Sequence, residues 1–318
     1  MHPAYSVIFL TTATGAGYGL LALLGLLRAL DRLPNDPAFG LIALGLSLGL
    51  ITAGLLISTA HLGRPERSWR AFSQWRSSWL SREGVLAVAT YVPALLLALG
   101  WLVLQRNDGL WPLAGWLAAA MALATVYATA MIYRSLAAIP RWHHPLVPPS
   151  YLILALATGA VWLNAVLTPF SDSHELVNAI CFAALAGGWL IKIAYWRAID
   201  SARGDSTAAS AIGLADQPGF DRVRPLDPPH VQDNYLLKEM GFTVARKHAA
   251  KLRRLTYLLA FLAPLVLIIV QTASTGPLSL AAAALAAVSV SFGVIIERWL
   301  FFAEAQHKVM LYYGADRI

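Results

Sequence analysis

The stretch 61-HLGRPERSWRAFSQWRSSWLSRE-83 sets five arginines, three tryptophans, two glutamates and one histidine between two long apolar runs. Runs of about 20 apolar residues cross a bilayer as helices, and consecutive spans are antiparallel, so this stretch is a connection at one membrane face. His61 ends one run and Glu83 begins the next, which places the two at about the same depth. An ionisable group inside a span costs roughly 2.5 to 3.5 kcal/mol at a helix centre and is seldom kept without use. The pair is therefore a candidate proton-active site. A plainer reading stands beside it, with Ser81 as a helix cap, Glu83 complementing the helix dipole and the arginines as headgroup anchors.

Gly63 and Pro65 end the helix after His61, and Trp and Arg alternate too densely through residues 62–82 for lipid. Trp69, Trp75 and Trp79 suit an interfacial belt; a structured lid over His61 and Glu83 is the sharper alternative.

Beyond this connection the chain is 318 residues long, 58% hydrophobic and only 13% charged. That leaves too little polar surface to solvate a globule of this size and reads as a polytopic membrane protein. Eight apolar runs are found, at roughly 6–30, 38–62, 83–104, 110–134, 149–170, 176–197, 253–273 and 277–302. They are long and unalternating, which favours helices over barrel strands. The expected fold is all-α, with eight transmembrane helices in two four-helix bundles. Residues 1–145 hold helices 1–4 and the candidate site, and residues 146–318 hold helices 5–8 with a polar loop at 198–252. The first run follows no basic segment and is too long for a signal sequence, so it is taken as a retained span.

The net charge of +7 is unevenly placed. With eight spans, 21 of the 24 Lys and Arg fall on the side of the termini and only Arg28, Arg32 and Arg106 on the other. The positive-inside rule then puts both termini and the long loop in the cytoplasm, the chain lying in the inner membrane. This distribution argues against nucleic acid as the reason for the positive charge, although a basic face built to dock an acidic partner imitates the rule.

The single cysteine, Cys181, lies mid-span and reads as a packed apolar residue, and no Cys cluster is present to hold an iron–sulfur centre or zinc. Adjacent His143 and His144 make a poor chelate. Glu304 and His307 have the i, i+3 spacing of carboxylate-bridged metal bundles but lack a second such motif, leaving an exposed helix end. Glu297 beside Arg298 suggests an ion pair, and Lys192 and Arg197 read as side chains snorkelling to the inner face. Tyr18, among the small residues of the first span, needs a hydrogen-bond partner or a ligand. Asn164 and Asn178 are the few polar residues expected near the midplane.

MHPAYSVIFLTTATGAGYG at the start, HLGRPERSWRAF, QWRSSWLSRE, KEMGFTVARKHA in the long loop and ERWLFFAEAQH near the end together resemble the membrane anchor subunit of the dimethyl sulfoxide reductase (DmsC) family. The similarity covers essentially the whole chain. It implies an eight-helix anchor without haem, exchanging electrons between the quinone pool, ubiquinone or menaquinone, and a subunit with four [4Fe-4S] clusters. That subunit in turn serves a molybdopterin catalytic subunit. The family associates the HLGRP histidine, here His61, and the SRE glutamate, here Glu83, with quinol binding. Loops 62–82 and 198–252 become the docking surface for the iron–sulfur subunit. With the termini inside, the chain is most similar to the anchors of cytoplasm-facing complexes that oxidise sulfite and reduce quinone. An anchor for a quinol-oxidising reductase is the alternative within the family.

On that basis a ring nitrogen of His61 serves one quinone carbonyl and Glu83 exchanges protons. Arg64 and Arg82 either oppose that exchange or stabilise negative charge on the reduced ring, and Tyr18 and Trp79 line the slot. A haem-bearing cytochrome b requires paired histidines deep in facing spans. A transporter is the rival from another class and requires polar or broken helices near the midplane.

Overall fold

The computed structural model describes residues 4–59, 64–171, 174–202, 204, 206–215, 223, 226, 227, 229 and 244–318. His61 lies outside them, as do residues 230–243 of the expected docking loop. Among the described residues every regular element is helical, and the only β-type pairing is an isolated bridge between Thr207 and Arg317.

Eight helices are long and apolar enough to cross a membrane. They are α1 (Tyr5–Ala29), α2 (Pro37–Ser58), α3 (Trp79–Val103), α4 (Trp111–Arg134), α5 (Val147–Leu167), α6 (Glu175–Ser201), α7 (His248–Thr272) and α8 (Gly276–Ala303). In lipid each backbone amide and carbonyl must find its partner within the segment, which is why apolar runs of this length settle as helices. Local chemistry sets their ends. The Asp36 carboxylate accepts from the amides of Ala38 and Phe39 at 2.7 and 3.1 Å, and Pro37 opens α2.

Helix α3 starts earlier than the apolar run alone indicates. Ser78, not Ser81, caps it, and the extra turn lets Trp79 meet Tyr127 of α4 edge-on at 5.9 Å. The hydroxyl of Ser81 instead donates to the Ala71 carbonyl and accepts from the Gln74 amide. These bonds tie the 3-10 segment Pro65–Gln74 to the start of α3.

Helix α1 is the hub. It packs against α2, α4 and α5, and α8 also reaches it, so contact crosses the 145/146 division. Glycines make the approach possible. A Cβ on Gly19 would overlap the Ala155 carbonyl of α5, one on Gly159 would overlap the Gly19 backbone, and Gly25 and Gly115 meet the same way between α1 and α4. Ser47 of α2 donates to the Gly17 carbonyl at 2.9 Å. Lipid tails are as apolar as leucine, so association in the membrane relies on such close backbone contact.

One end of the bundle carries the long connections. There Trp142 Nε1 donates to the Phe301 carbonyl at 2.9 Å, the Lys308 amide donates to Ala138 O at 2.9 Å, and Tyr195 Oη donates to Arg141 O at 2.9 Å. Tyr133, Trp142, Tyr151, Phe301 and Phe302 pack ring against ring below them. At the opposite end, Asn107 donates to the Arg28 carbonyl at 2.8 Å and Phe39 lies against both Trp101 and Phe170. Asn164 and Asn178, expected near the midplane, sit about one turn from the ends of α5 and α6 at this opposite face.

His143 and His144 turn apart, the first to the Arg134 carbonyl and the second against the Tyr195 ring. His144 Nδ1 accepts from the Leu146 amide at 3.2 Å and His307 Nδ1 accepts from the Val309 amide at 3.0 Å. Only an unprotonated nitrogen can accept. Burial, and for His144 also the nearby Arg134 charge, holds both imidazoles below the usual histidine range.

Packing and linkage each generate a prediction. Gly19→Val and Gly159→Val each force backbones apart at a cost of about 1–3 kcal/mol or more, seen as loss of folded protein in detergent. Gly45→Ala, with open space around it, leaves the yield unchanged. The two histidines are depressed in the folded state, so their contribution is full above the unfolded value and is lost as pH falls through the folded values. Lowering pH from about 7.5 to about 5 should speed amide exchange at residues 144–147 and 307–310, and His144→Gln should flatten the first change.

Candidate functional site

Glu83 is the fifth residue of α3 and is turned inward, its carboxylate Oε1 accepting from Thr129 Oγ1 of α4 at 2.6 Å. Among the described residues no cation pairs with it. The dipole-complementing role is thereby replaced by a contact across the bundle: the side chain is buried against a hydroxyl. Tyr18, Tyr133 and Tyr151 all lie within electrostatic reach of the carboxylate.

Of the residues singled out from sequence, Glu83 and Tyr18 are brought together. Tyr18 is buried and its hydroxyl has no hydrogen-bond partner among the described residues. Arg82 turns away from them. It donates to the carbonyls of Trp75 and Arg76 at 3.0 and 2.7 Å and lies over the Trp79 ring at 4.3 Å. Arg82 and Trp79 therefore brace the connection from its outer side. Arg64 is exposed at the start of the 3-10 segment, and His61 is outside the described residues.

Beside Glu83 a narrow cleft opens where α1, α4, α5 and α8 meet. Thr11, Thr12, Thr14, Thr129, Tyr151 and Arg298 are on its walls. The α1 threonines donate to carbonyls of their own helix, which leaves their oxygens free to accept. Tyr151 Oη and Arg298 Nε, both buried, have no hydrogen-bond partner among the described residues.

Behind Arg298 lies a buried ion cluster. Arg298 Nη1 is 3.1 Å from Glu297 Oε2, and Lys192 Nζ is 2.5 Å from Glu297 Oε1. Lys192 thus does not snorkel. It is fully enclosed, with its ammonium over the rings of Tyr195 and Trp196 at 4.3 and 4.6 Å, because a buried carboxylate holds it more closely than the headgroups would. Arg298 covers the Tyr151 ring at 3.6 Å. Nearer the surface Glu304, far from being an exposed helix end, is buried and binds Arg253 at 2.7 Å, and Arg253 also binds Asp200 at 2.5 Å. Among the described residues no three His, Cys, Asp or Glu side chains gather as a metal site.

Thr129 and Tyr151 were missed as site residues. Hydroxyls recurring four residues apart in an apolar span, Thr125 and Thr129, are the signal that points to the first. The partners of Lys192 and Arg298 come from different helices and leave no local mark.

Glu297 neutralises two cations, so Glu297→Gln leaves Lys192 and Arg298 facing each other. Removing one partner of a buried pair costs about 3–5 kcal/mol, to be read as a lowered thermal midpoint of the detergent-solubilised protein. Lys192→Met combined with Glu297→Gln should recover most of that loss.

Two comparisons bear on the arrangement. The chain is 34% identical to a sulfite dehydrogenase subunit of Allochromatium vinosum, an alignment covering 98% of this chain and 99% of that protein. The family model described as "DMSO reductase anchor subunit (DmsC)" matches residues 1–314. A full-length match of this kind, together with eight apolar helices and a connection after α2 tied down on α3, makes the chain a member of the DMSO reductase anchor subunit (DmsC) family.

Proposed function

We propose that this chain is the quinone-reactive membrane anchor of a sulfite-oxidising molybdenum complex. It takes electrons from an iron–sulfur subunit with four clusters and delivers them to ubiquinone or menaquinone. The observation that carries the site is Glu83, a buried carboxyl whose partner among the described residues is a hydroxyl and not a cation. A carboxyl held in that way is suited to taking up and releasing a proton.

Chemistry and topology support this placement. A quinone receives one proton for each electron, so its site needs an exchanging group near each oxygen. Glu83 serves one and His61, ending the preceding span, serves the other, with the Tyr18 hydroxyl as a further donor. The same end of the bundle carries the connection 62–82 and the basic residues 134–146 and 308–317. An iron–sulfur subunit docked there brings its distal cluster close to the pocket, with its metal supplied by the partner. The asymmetry of Lys and Arg favours a cytoplasmic location for this face, in the inner membrane. Full-length similarity to a sulfite dehydrogenase subunit favours sulfite as the electron source over a quinol-oxidising reductase.

Glu83→Gln and His61→Ala should each lower sulfite-driven quinone reduction by about 100-fold or more. Sulfite oxidation with an artificial acceptor, measured on the same purified complex, should persist. Unchanged quinone reduction in both variants would remove the site.

A further inference from the structure

Thr129 is the hydroxyl that binds Glu83, and it also opens onto the threonine-lined cleft. The cleft encloses about 10 Å3, roughly the room of one water molecule and too little for a quinone ring. Tyr151 Oη and Arg298 Nε are unpartnered there. A water accepting from those two groups and donating to threonine oxygens has the two to four polar partners that buried water requires.

Beyond the cleft, charged groups continue to the surface. Arg298 is 3.1 Å from Glu297, and Glu297 is 2.5 Å from Lys192. Glu304 lies within electrostatic reach of Lys192 and is 2.7 Å from Arg253, which binds Asp200 at 2.5 Å. The Asp200 side chain is 52% exposed. As a device for holding α6 to α8 this cluster is a poor choice, since replacing a buried ion cluster with apolar side chains is often neutral or stabilising. Ionisable groups kept at this depth mark pathways by default.

We propose that this chain of groups, with the cleft water, is the route by which protons from the aqueous phase reach Glu83; the inference rests on the assignment of Glu83 to the quinone site. A proton given up by Glu83 to a quinone oxygen is replaced through Thr129 and the cleft water from Glu297. Glu297 regains its proton from the Lys192 ammonium, and the Lys192 amine takes one from Glu304, which is recharged at the surface. No electron moves along this route; the electrons arrive from the iron–sulfur subunit. Arg298 and Arg253 keep their protons throughout and act by position, holding the two carboxylates and orienting the water.

The test uses the assembled complex carrying Lys192→Met with Glu297→Gln, a pair that leaves no orphaned opposite charge. Sulfite-driven quinone reduction should fall by about tenfold or more, the low side of what a lost proton-transfer group costs, with an enlarged solvent deuterium isotope effect. Added formate or azide, small weak acids that carry protons past a broken route, should restore much of the rate. Artificial-acceptor turnover and calorimetric affinity for a quinone analogue should stay at the wild-type level, and Glu297→Asp should retain most of the quinone-linked rate. An unchanged rate in the double variant, or a loss with neither isotope effect nor rescue, overturns the route. Run in parallel, Glu83→Gln separates the two levels. If it abolishes quinone turnover while the double variant does not, only the route falls; if it has no effect, the site assignment falls and takes the route with it.

Discussion

The crossing of α1 over α5 at Gly19 and Gly159 is the contact on which the rest of the arrangement depends. In a bilayer there is no water to expel from between helices, so association rests on dispersion, hydrogen bonds and how closely backbones approach. Two facing glycines bring these backbones together. Thr11, Thr12 and Thr14 on α1 then come alongside Tyr151 and Thr158 on α5, and α8 closes the remaining side with Arg298. The cleft follows from this crossing, which also joins helices on either side of the α4–α5 connection.

The electrostatics of the two sides of the cleft are opposite in kind. On one side a carboxyl is buried with a hydroxyl for company; on the other, two cations share one carboxylate. An uncompensated charge at low dielectric is far more expensive than a paired one, so the two sides make different demands. Aromatic faces meet part of the second demand. Lys192 lies over Tyr195 and Trp196, and Arg298 over Tyr151, each such contact contributing about 0.5–2 kcal/mol depending on its desolvation. The ring cluster around Trp142 and Phe301 sits between these charges and the connections above, and so limits water access from that direction.

Much of the fold was legible because its determinants are local. Eight apolar runs became eight helices, with ends displaced where a side chain made a better contact, as Ser78 did for α3. The candidate site was legible in part. Glu83 stood out as an acid at the start of a span, but its partner Thr129 is 46 residues away and looks like any other hydroxyl in a helix. Arg82 and Arg64 were placed at the site by proximity in sequence, whereas the guanidinium of Arg82 follows the carbonyls of the preceding turn and Arg64 is exposed. Lys192 misled for the same reason. A lysine near a helix end usually reaches for water, and only the three-dimensional position of Glu297 reverses that preference. Asn164 and Asn178 looked central because apolar runs extend past the helices that form from them.

Helix α7 departs from regular winding at Tyr257–Leu262, where it makes a π-turn before resuming at Ala263. Such a turn carries one extra residue, and Ala260 within it is the point against which Gly293 of α8 rests backbone to backbone. Each residue advances an α-helix by about 100°. Shortening the wide turn by a single residue would therefore re-phase everything after it, swinging Ile268 and Gln271, now interior, toward the acyl chains. Sequence length across those six positions is thus under geometric constraint independent of side-chain identity, and insertions or deletions there should be far rarer among homologues than substitutions.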